Sequence, residues 1–221
     1  MGRMNRAVVP GIPHHITQRG VRRQQVFFSE DDYILFTNLI RHFLKKTELH
    51  IIAWCLMPNH YHILAVPPHK KSLSEFFAPL HRTYSFNINQ REGWSGHLWQ
   101  ERFSSFPVDN PHSMVAARYI EMNPVRAGLA STPSQYSWSS ASTHLTGKSD
   151  GITDLSSSIN LQPDWSSLLE SGISDEEIAL FHAHENRELP MGNSQFLSNL
   201  EFSYSINTAI RNRGRPRRQN N

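Results

Sequence analysis

Hydrophobic residues recur at two different spacings along the first third of the chain, and these spacings predict strands and helices in alternation. A mixed run over residues 7–17 predicts a first strand. Residues 29–46 predict a helix, because acids stand at its start and apolar side chains follow at helical spacing. Those side chains are Tyr33, Phe36, Leu39, Ile40 and Phe43. Apolar runs at 49–57 and 60–66 flank a Pro58-Asn59 turn and predict two antiparallel strands.

The pattern continues with a second helix over 73–90 and a strand over 103–108. A third helix is predicted to begin at Asn110 and to stop near Pro124. The order β-α-β-β-α-β is the split βαβ pattern of a ferredoxin-like sandwich, so we expect an α+β fold with an antiparallel sheet. Helices should cover one face of this sheet, and the other face can hold a site.

Changes in composition along the chain indicate where its domain and its extensions begin and end. We predict one domain over residues 1–138, then a linker with a small helical extension over 139–205, and a basic tail over 206–221 that is disordered in isolation. Residues 147–162 are rich in serine, glycine and aspartate, which is typical of a linker.

Charge and cysteine content narrow the class of protein. The net charge is only +3, but five arginines and no acid follow Ile206, which suits a polyanionic partner. Cys55 is the single cysteine, so an intrachain disulfide and a cysteine zinc site are excluded. We find no signal peptide, no membrane span, no P-loop and no dinucleotide fingerprint. A cytoplasmic protein without a nucleotide cofactor is therefore expected.

His60 and His62 open the apolar strand that follows the turn. Side chains alternate between the two faces of a strand, so both imidazoles point the same way. Two neutral imidazoles side by side can hold one divalent metal ion. The alternative is a strand whose outer face happens to present two of the chain's 13 histidines.

Tyr119 and Asn123 are four residues apart on the third predicted helix and therefore share a face. A tyrosine exposed beside a metal ion can act as a nucleophile, with the cation stabilising the charge that develops. The amide oxygen of Asn123 can supply a third ligand. The alternatives are a tyrosine packed under the sheet and an asparagine that caps the helix before Pro124.

Four segments, occurring in the right order, resemble the REP-associated tyrosine transposases, which are single-tyrosine HUH enzymes related to the smallest insertion-sequence transposases. The segments are 13–20, 57–62, 97–103 and 119–129. The resemblance covers roughly residues 6–138, and the ordered set is far more specific than any single motif.

This resemblance implies a metal-dependent, sequence-specific endonuclease and transposase acting on single-stranded DNA. His60, His62 and Asn123 would hold Mg²⁺ or Mn²⁺, although the insertion-sequence relatives have glutamine at the Asn123 position. Tyr119 would join the 5′ phosphate and release a 3′ hydroxyl, so that the DNA can be rejoined next to a hairpin of the REP type. A monomer in the nucleoid is expected, with a dimer as the alternative.

Arginines are the candidate DNA contacts. Arg19, Arg22 and Arg23 lie in and beside the first predicted loop, and Arg102 is a weaker candidate. The alternative is a set of solvated surface charges. The tail resembles an AT-hook that enters a narrow minor groove, with a non-specific polycation as the equal alternative. Its arginines are Arg213, Arg215, Arg217 and Arg218.

Two other functions are compatible with the same residues. One is a hairpin-binding protein that no longer cleaves DNA, against which the intact histidine pair and Tyr119 argue. The other is a metal phosphodiesterase that uses water, in which Tyr119 is a core residue.

Overall fold

A four-stranded antiparallel sheet forms the centre of the computed structural model, which describes residues 8–156, 165–185 and 187–208. Its strand order is β2-β3-β1-β4, which is the order of a ferredoxin-like sandwich and confirms the predicted fold class. The strands are β1 (His14–Arg19), β2 (His50–Met57), β3 (His60–Val66) and β4 (Ser104–Pro107). β1 begins later than residue 7 because Pro10 and Pro13 cannot donate ladder hydrogen bonds.

One face of the sheet packs against the two long helices α1 (Glu30–Thr47) and α2 (Ser72–Glu92). The core between them is aromatic: Phe36, Phe76 and Tyr84 are fully buried there. Burying a side chain of this size stabilises the fold by roughly 1.5–3 kcal/mol, so this layer contributes much of the stability.

The opposite face is also covered by helices, although the pattern left it open. α3 (Asn110–Arg126) packs against β2 and β3, and the short helices α5 (Trp165–Glu170) and α6 (Asp175–Glu185) add to the same layer. The remaining helices are α4 (Ala141–Thr146) and α7 (Ser194–Tyr204). Any site on this face therefore lies between the sheet and these helices.

α3 does not stop at Pro124, and that prediction is wrong. The helix runs on to Arg126, because a proline in the last turn removes only one backbone donor, and the Ala127 N–H still bonds to the Asn123 carbonyl. The continuation places Arg126 seven residues after Tyr119, on the same side of the helix.

Residues that follow Trp138 pack closely against β2. The Ser140 N–H donates to the Trp54 carbonyl, and the Asp154 N–H donates to the Ile51 carbonyl. The buried carboxylate of Glu121 on α3 accepts hydrogen bonds from several donors of this region. The donors are Ser140, His144 and Trp165. The domain boundary at residue 138 stays a prediction.

The basic tail from residue 209 onward lies outside the described residues, and so do Arg213, Arg215, Arg217 and Arg218. Within the part of the chain that is described, none of the helices has both the length and the apolar character needed to cross a lipid bilayer.

Asp32 connects the start of α1 to the end of α2. Its carboxylate accepts hydrogen bonds from the Phe28 and Ser29 backbone and forms an ion pair with Arg91. Burial by itself raises the pKa of Asp32, but the hydrogen bond from Arg91 and those from the backbone outweigh it and leave the pKa below its ordinary value.

We predict that Asp32→Ala lowers the free energy of unfolding by about 2 kcal/mol, because charge-assisted hydrogen bonds at a helix start are lost together. Urea unfolding followed by circular dichroism measures this. The matched control is Glu92→Ala, which removes a surface partner of the same Arg91 and should cost less than about 1 kcal/mol. Equal losses in the two variants would contradict the role given to Asp32.

Candidate functional site

The register between β1 and β3 determines which side chains meet at the candidate site. Thr17 pairs with His62, and Arg19 pairs with His60. Directly paired residues in an antiparallel sheet point to the same face, and alternation adds His15 to that face. Five polar side chains therefore line the face that α3 covers.

His60 and His62 lie side by side with ring centroids 4.9 Å apart. The Nδ1 atom of His60 is hydrogen bonded to the Asn59 Oδ1 atom at 2.6 Å, and a carbonyl oxygen only accepts, so this nitrogen donates. The Nδ1 atom of His62 lies 3.1 Å from the His15 Nε2 atom. With His62 as donor in that pair, both Nε2 lone pairs are left for a cation, as in metal sites whose histidines donate through the other nitrogen.

Burial keeps both imidazoles neutral. It lowers the pKa of His60 to about 3, with the nearby charge of Arg19 acting in the same direction. The pKa of His62 falls well below its ordinary value because of burial, followed by the neighbouring His60 and His15. A neutral imidazole is the form that binds a metal ion, so the donor set fits a divalent cation.

Tyr119 on α3 lies against this histidine pair. Its ring meets that of His62 edge to face at a centroid distance of 5.6 Å. The phenol is only 2% exposed because α6 covers it, with Phe181 stacked on the ring at 4.8 Å. An exposed phenol was expected beside the metal; the structure has the phenol beside the histidines but buried. The hydroxyl nevertheless has a polar neighbour, since it lies 3.1 Å from the His182 Nε2 atom.

Burial also controls the acidity of this phenol. It raises the pKa of Tyr119 to about 12, and the Glu185 carboxylate adds to the rise. A hydrogen bond and the positive charge of Arg126 act in the opposite direction, and the guanidinium carbon lies 5.1 Å from the ring centroid. A phenol in this state needs help to lose its proton at neutral pH.

Asn123 lies one turn after Tyr119 and is buried. Its amide nitrogen donates to the Tyr119 carbonyl at 3.0 Å, and its Oδ1 atom is 3.5 Å from the Arg126 Nη1 atom. These contacts are within its own helix. Its role as a third ligand therefore stays a prediction.

No group of three histidine, cysteine, aspartate or glutamate side chains with metal-binding geometry occurs in the described ranges of the chain. Oxygens of an amide, of water or of a phosphate are further ligands that a divalent cation at His60 and His62 can take.

The predicted arginines are spread over two places. Arg19 ends β1 close to the histidines, and Arg22 and Arg23 form the exposed turn that follows. Both turn residues have left-handed φ values, +54° and +61°. The turn folds back so tightly that a Cβ on Gly20 would come within 2.3 Å of the Gln24 carbonyl oxygen, so only glycine fits at this position.

Arg102 lies elsewhere. It lines a cavity of about 610 Å³ together with Arg82, Phe86 and Trp99. The Gln18 side chain points into this cavity, and residues 17 and 19 point to the other face of β1. The cavity is therefore on the α1–α2 side of the sheet, opposite the histidine pair.

Four residues of the site were missed from sequence. His15 has a usable signal in the sequence, because the alternation of side chains along β1 places it on the same face as the histidine pair. Arg126 also has such a signal, because it follows Tyr119 by seven residues, which is about two turns of a helix. His182 and Glu185 have none, because only the docking of α6 brings them to the site; the Glu185 Oε1 atom lies 4.0 Å from the His62 Nδ1 atom.

Buried neutral histidines make stability depend on pH. His15 is fully buried, and burial lowers its pKa to about 3. The unfolded chain therefore binds a proton below pH ~6.5 that the folded chain does not, and stability falls as the pH is lowered. Each such group contributes up to about 1.4 kcal/mol per pH unit.

We predict that His15→Phe reduces the loss of unfolding free energy between pH ~6.5 and ~5 by about one proton's slope. Phenylalanine retains an aromatic ring for the stack on His62 and for the contact with Phe106. Urea unfolding at several pH values measures the slope. An unchanged slope would contradict this, because it would show that His15 takes up its proton over the same pH range in the folded and the unfolded chain.

The chain is similar to known transposases. The family model described as IS200-like transposases matches residues 8–123. A solved structure of a REP-associated tyrosine transposase bound to a REP hairpin is 22% identical, with a TM-score of 0.53 over 71% of this chain and 96% of that one. A putative transposase from Deinococcus radiodurans is 21% identical, with a TM-score of 0.38 over 54% and 96%. Curated proteins show no match.

Proposed function

We propose that this chain, which belongs to the family of IS200-like transposases, is a metal-dependent tyrosine transposase that acts on single-stranded DNA. It cleaves and rejoins DNA next to a hairpin through a covalent 5′-phosphotyrosine at Tyr119. The main support is one juxtaposition: the Tyr119 ring packs against His62, whose neighbour His60 presents a second neutral imidazole.

The electrostatics of the site suit a phosphodiester. The Arg126 guanidinium carbon lies 5.1 Å from the Tyr119 ring centroid, and the positive charges of Arg126 and Arg19 both lower the pKa of the phenol. Cationic side chains in a site with little water attract a phosphate strongly and stabilise charge that develops during displacement. The reacting phosphate would bind beside the Arg126 guanidinium group, which lies over the Tyr119 ring.

His60 and His62 would hold the divalent cation, with Asn123 as the third protein ligand. Mg²⁺ or Mn²⁺ fits because the remaining positions can be filled by water and by phosphate oxygens, which these ions prefer. When bound, the cation would act as a Lewis acid on the phosphate. Asn59 and His15 would orient the two imidazoles through their Nδ1 atoms.

Covalent chemistry explains why the protein would need no nucleotide cofactor. The phosphotyrosine preserves the energy of the broken phosphodiester, so a 3′ hydroxyl can reverse the reaction. A REP-type hairpin is the proposed partner, since the solved relative of similar fold is bound to one. Arg22 and Arg23 on the turn after β1 are the candidate contacts, with Arg102 on the opposite face.

We predict that the protein and Mn²⁺ convert single-stranded hairpin DNA, labelled at its 3′ end, into a protein-linked band on a denaturing gel. Tyr119→Phe should abolish this band, because the nucleophilic oxygen is removed. Tyr204→Phe makes the same change at an exposed tyrosine of α7, and this matched control should retain the band. Cleavage without the linked band would favour a water-using phosphodiesterase, and binding without cleavage would favour a hairpin-binding protein.

The metal is tested separately from cleavage. We predict that His60→Ala and His62→Ala each weaken Mn²⁺ binding in isothermal titration calorimetry by more than about tenfold, since even the loss of an outer partner costs ~10–100-fold. Hairpin affinity measured without metal should change little. His42→Ala, on the exposed side of α1, is the control. Unaltered Mn²⁺ affinity in both site variants would rule out the histidine pair.

A further inference from the structure

The Tyr119 hydroxyl has one hydrogen-bonding imidazole, and it comes from outside the strands that define the site. The His182 Nε2 atom on α6 lies 3.1 Å from the phenol oxygen. This distance is within the range for proton transfer between a nucleophile and its base. His182 itself is exposed, so it connects the buried hydroxyl to solvent.

We infer that His182 accepts the proton of Tyr119 during cleavage and returns it during rejoining, an inference that rests on the proposed function. The phenol oxygen forms a bond to phosphorus while its proton passes to the His182 Nε2 atom. The bond from phosphorus to the 3′ oxygen breaks, and that oxygen takes a proton from water. Rejoining reverses each step, so the protonated imidazole gives its proton to the departing phenol oxygen.

The protonation state of His182 suits this role. Burial lowers its pKa, and the positive charges of Arg126 on α3 and Arg19 on β1 lower it further. Glu185, one turn later on α6, is the acid nearest in sequence; burial raises the pKa of its carboxyl, against a hydrogen bond from Thr17. At neutral pH the imidazole is therefore neutral, and its Nε2 atom accepts the phenol proton when the ring proton is on Nδ1.

Tyr119 needs such a partner more than an exposed tyrosine would. Phe181 stacks on its ring and the residue is only 2% exposed, so bulk water has little access to the hydroxyl proton. A base already hydrogen bonded to the hydroxyl removes the proton as the new bond forms, which typically accelerates a reaction by ~10²–10⁴-fold.

The inference also gives a role to the C-terminal region. The family match ends at residue 123, and α6 lies beyond it. Two contacts fix α6 over the nucleophile: Phe181 stacks on the Tyr119 ring at an interplanar angle of 7°, and Glu177 pairs with Arg118. These contacts hold α6 in the position in which it presents His182 to the phenol.

The test compares His182→Gln, which can retain a hydrogen bond but cannot take a proton, with His182→Ala. Both are measured for the single-turnover rate of the DNA-linked band with Mn²⁺, and for hairpin affinity. His184→Gln is the matched control on the same helix, where glutamine can still donate to the Leu189 carbonyl. We expect both His182 variants to be slower by ~10²–10⁴-fold with unchanged hairpin affinity, and the control to match the wild type.

Added imidazole distinguishes a proton acceptor from a merely structural side chain. In His182→Ala it should restore the rate in proportion to the concentration of its free base, and it should have no effect on Tyr119→Phe. A rate equal to or above that of the wild type would overturn the inference and show that α6 only covers the phenol. A slow His182→Ala without rescue would overturn it as well. Absence of the linked band in the wild type would instead refute the proposed function.

Discussion

The register of β1 against β3 is the constraint on which the candidate site depends. It pairs Thr17 with His62 and Arg19 with His60, and so brings three histidines and an arginine to one face. A slip of β3 by one residue would turn His60 and His62 to the opposite face, into the aromatic core around Phe36 and Tyr61, and away from His15 and Arg19 on β1. That core in turn specifies the register, because Ile16 and Ile63 must remain buried on the α1–α2 side.

A second consequence of this arrangement is that most side chains of the candidate site are buried. Burial holds His60 and His62 neutral and raises the pKa of Tyr119, so these three side chains carry no charge at neutral pH. The positive charge comes from Arg19 and Arg126 at its edge. Low dielectric then strengthens every interaction with a phosphate, and the same burial requires that the proton of the phenol has a defined acceptor.

Much of this arrangement could be predicted from sequence. The element order, the hairpin between β2 and β3 and the shared face of His60 and His62 follow from periodicity alone. Two local errors have simple causes: proline delays the start of β1, and Pro124 is tolerated in the last turn of α3. The assignment of Tyr119 to a helix facing the site came from the family resemblance together with helical spacing.

The cover over the site could not be predicted in the same way. α6 has no strongly apolar stripe that indicates its docking, and Phe181, His182 and Glu185 reach the site only through tertiary packing. The positions of the helices that follow residue 138 depend on such packing, which sequence periodicity does not predict. His15 is the intermediate case, because its phase on β1 was readable but its hydrogen bond to His62 was not.

The central proposal is that His60 and His62 hold a cation beside the phenol of Tyr119. Paramagnetic relaxation tests it most directly: the six tyrosines are labelled with carbon-13 at Cζ, and Mn²⁺ is titrated into the protein. Tyr119→Phe identifies the resonance of Tyr119. The account predicts that stoichiometric Mn²⁺ broadens this resonance first, and that the effect disappears in the double variant His60→Ala, His62→Ala. A Tyr119 resonance that stays sharp at saturating Mn²⁺ would contradict it.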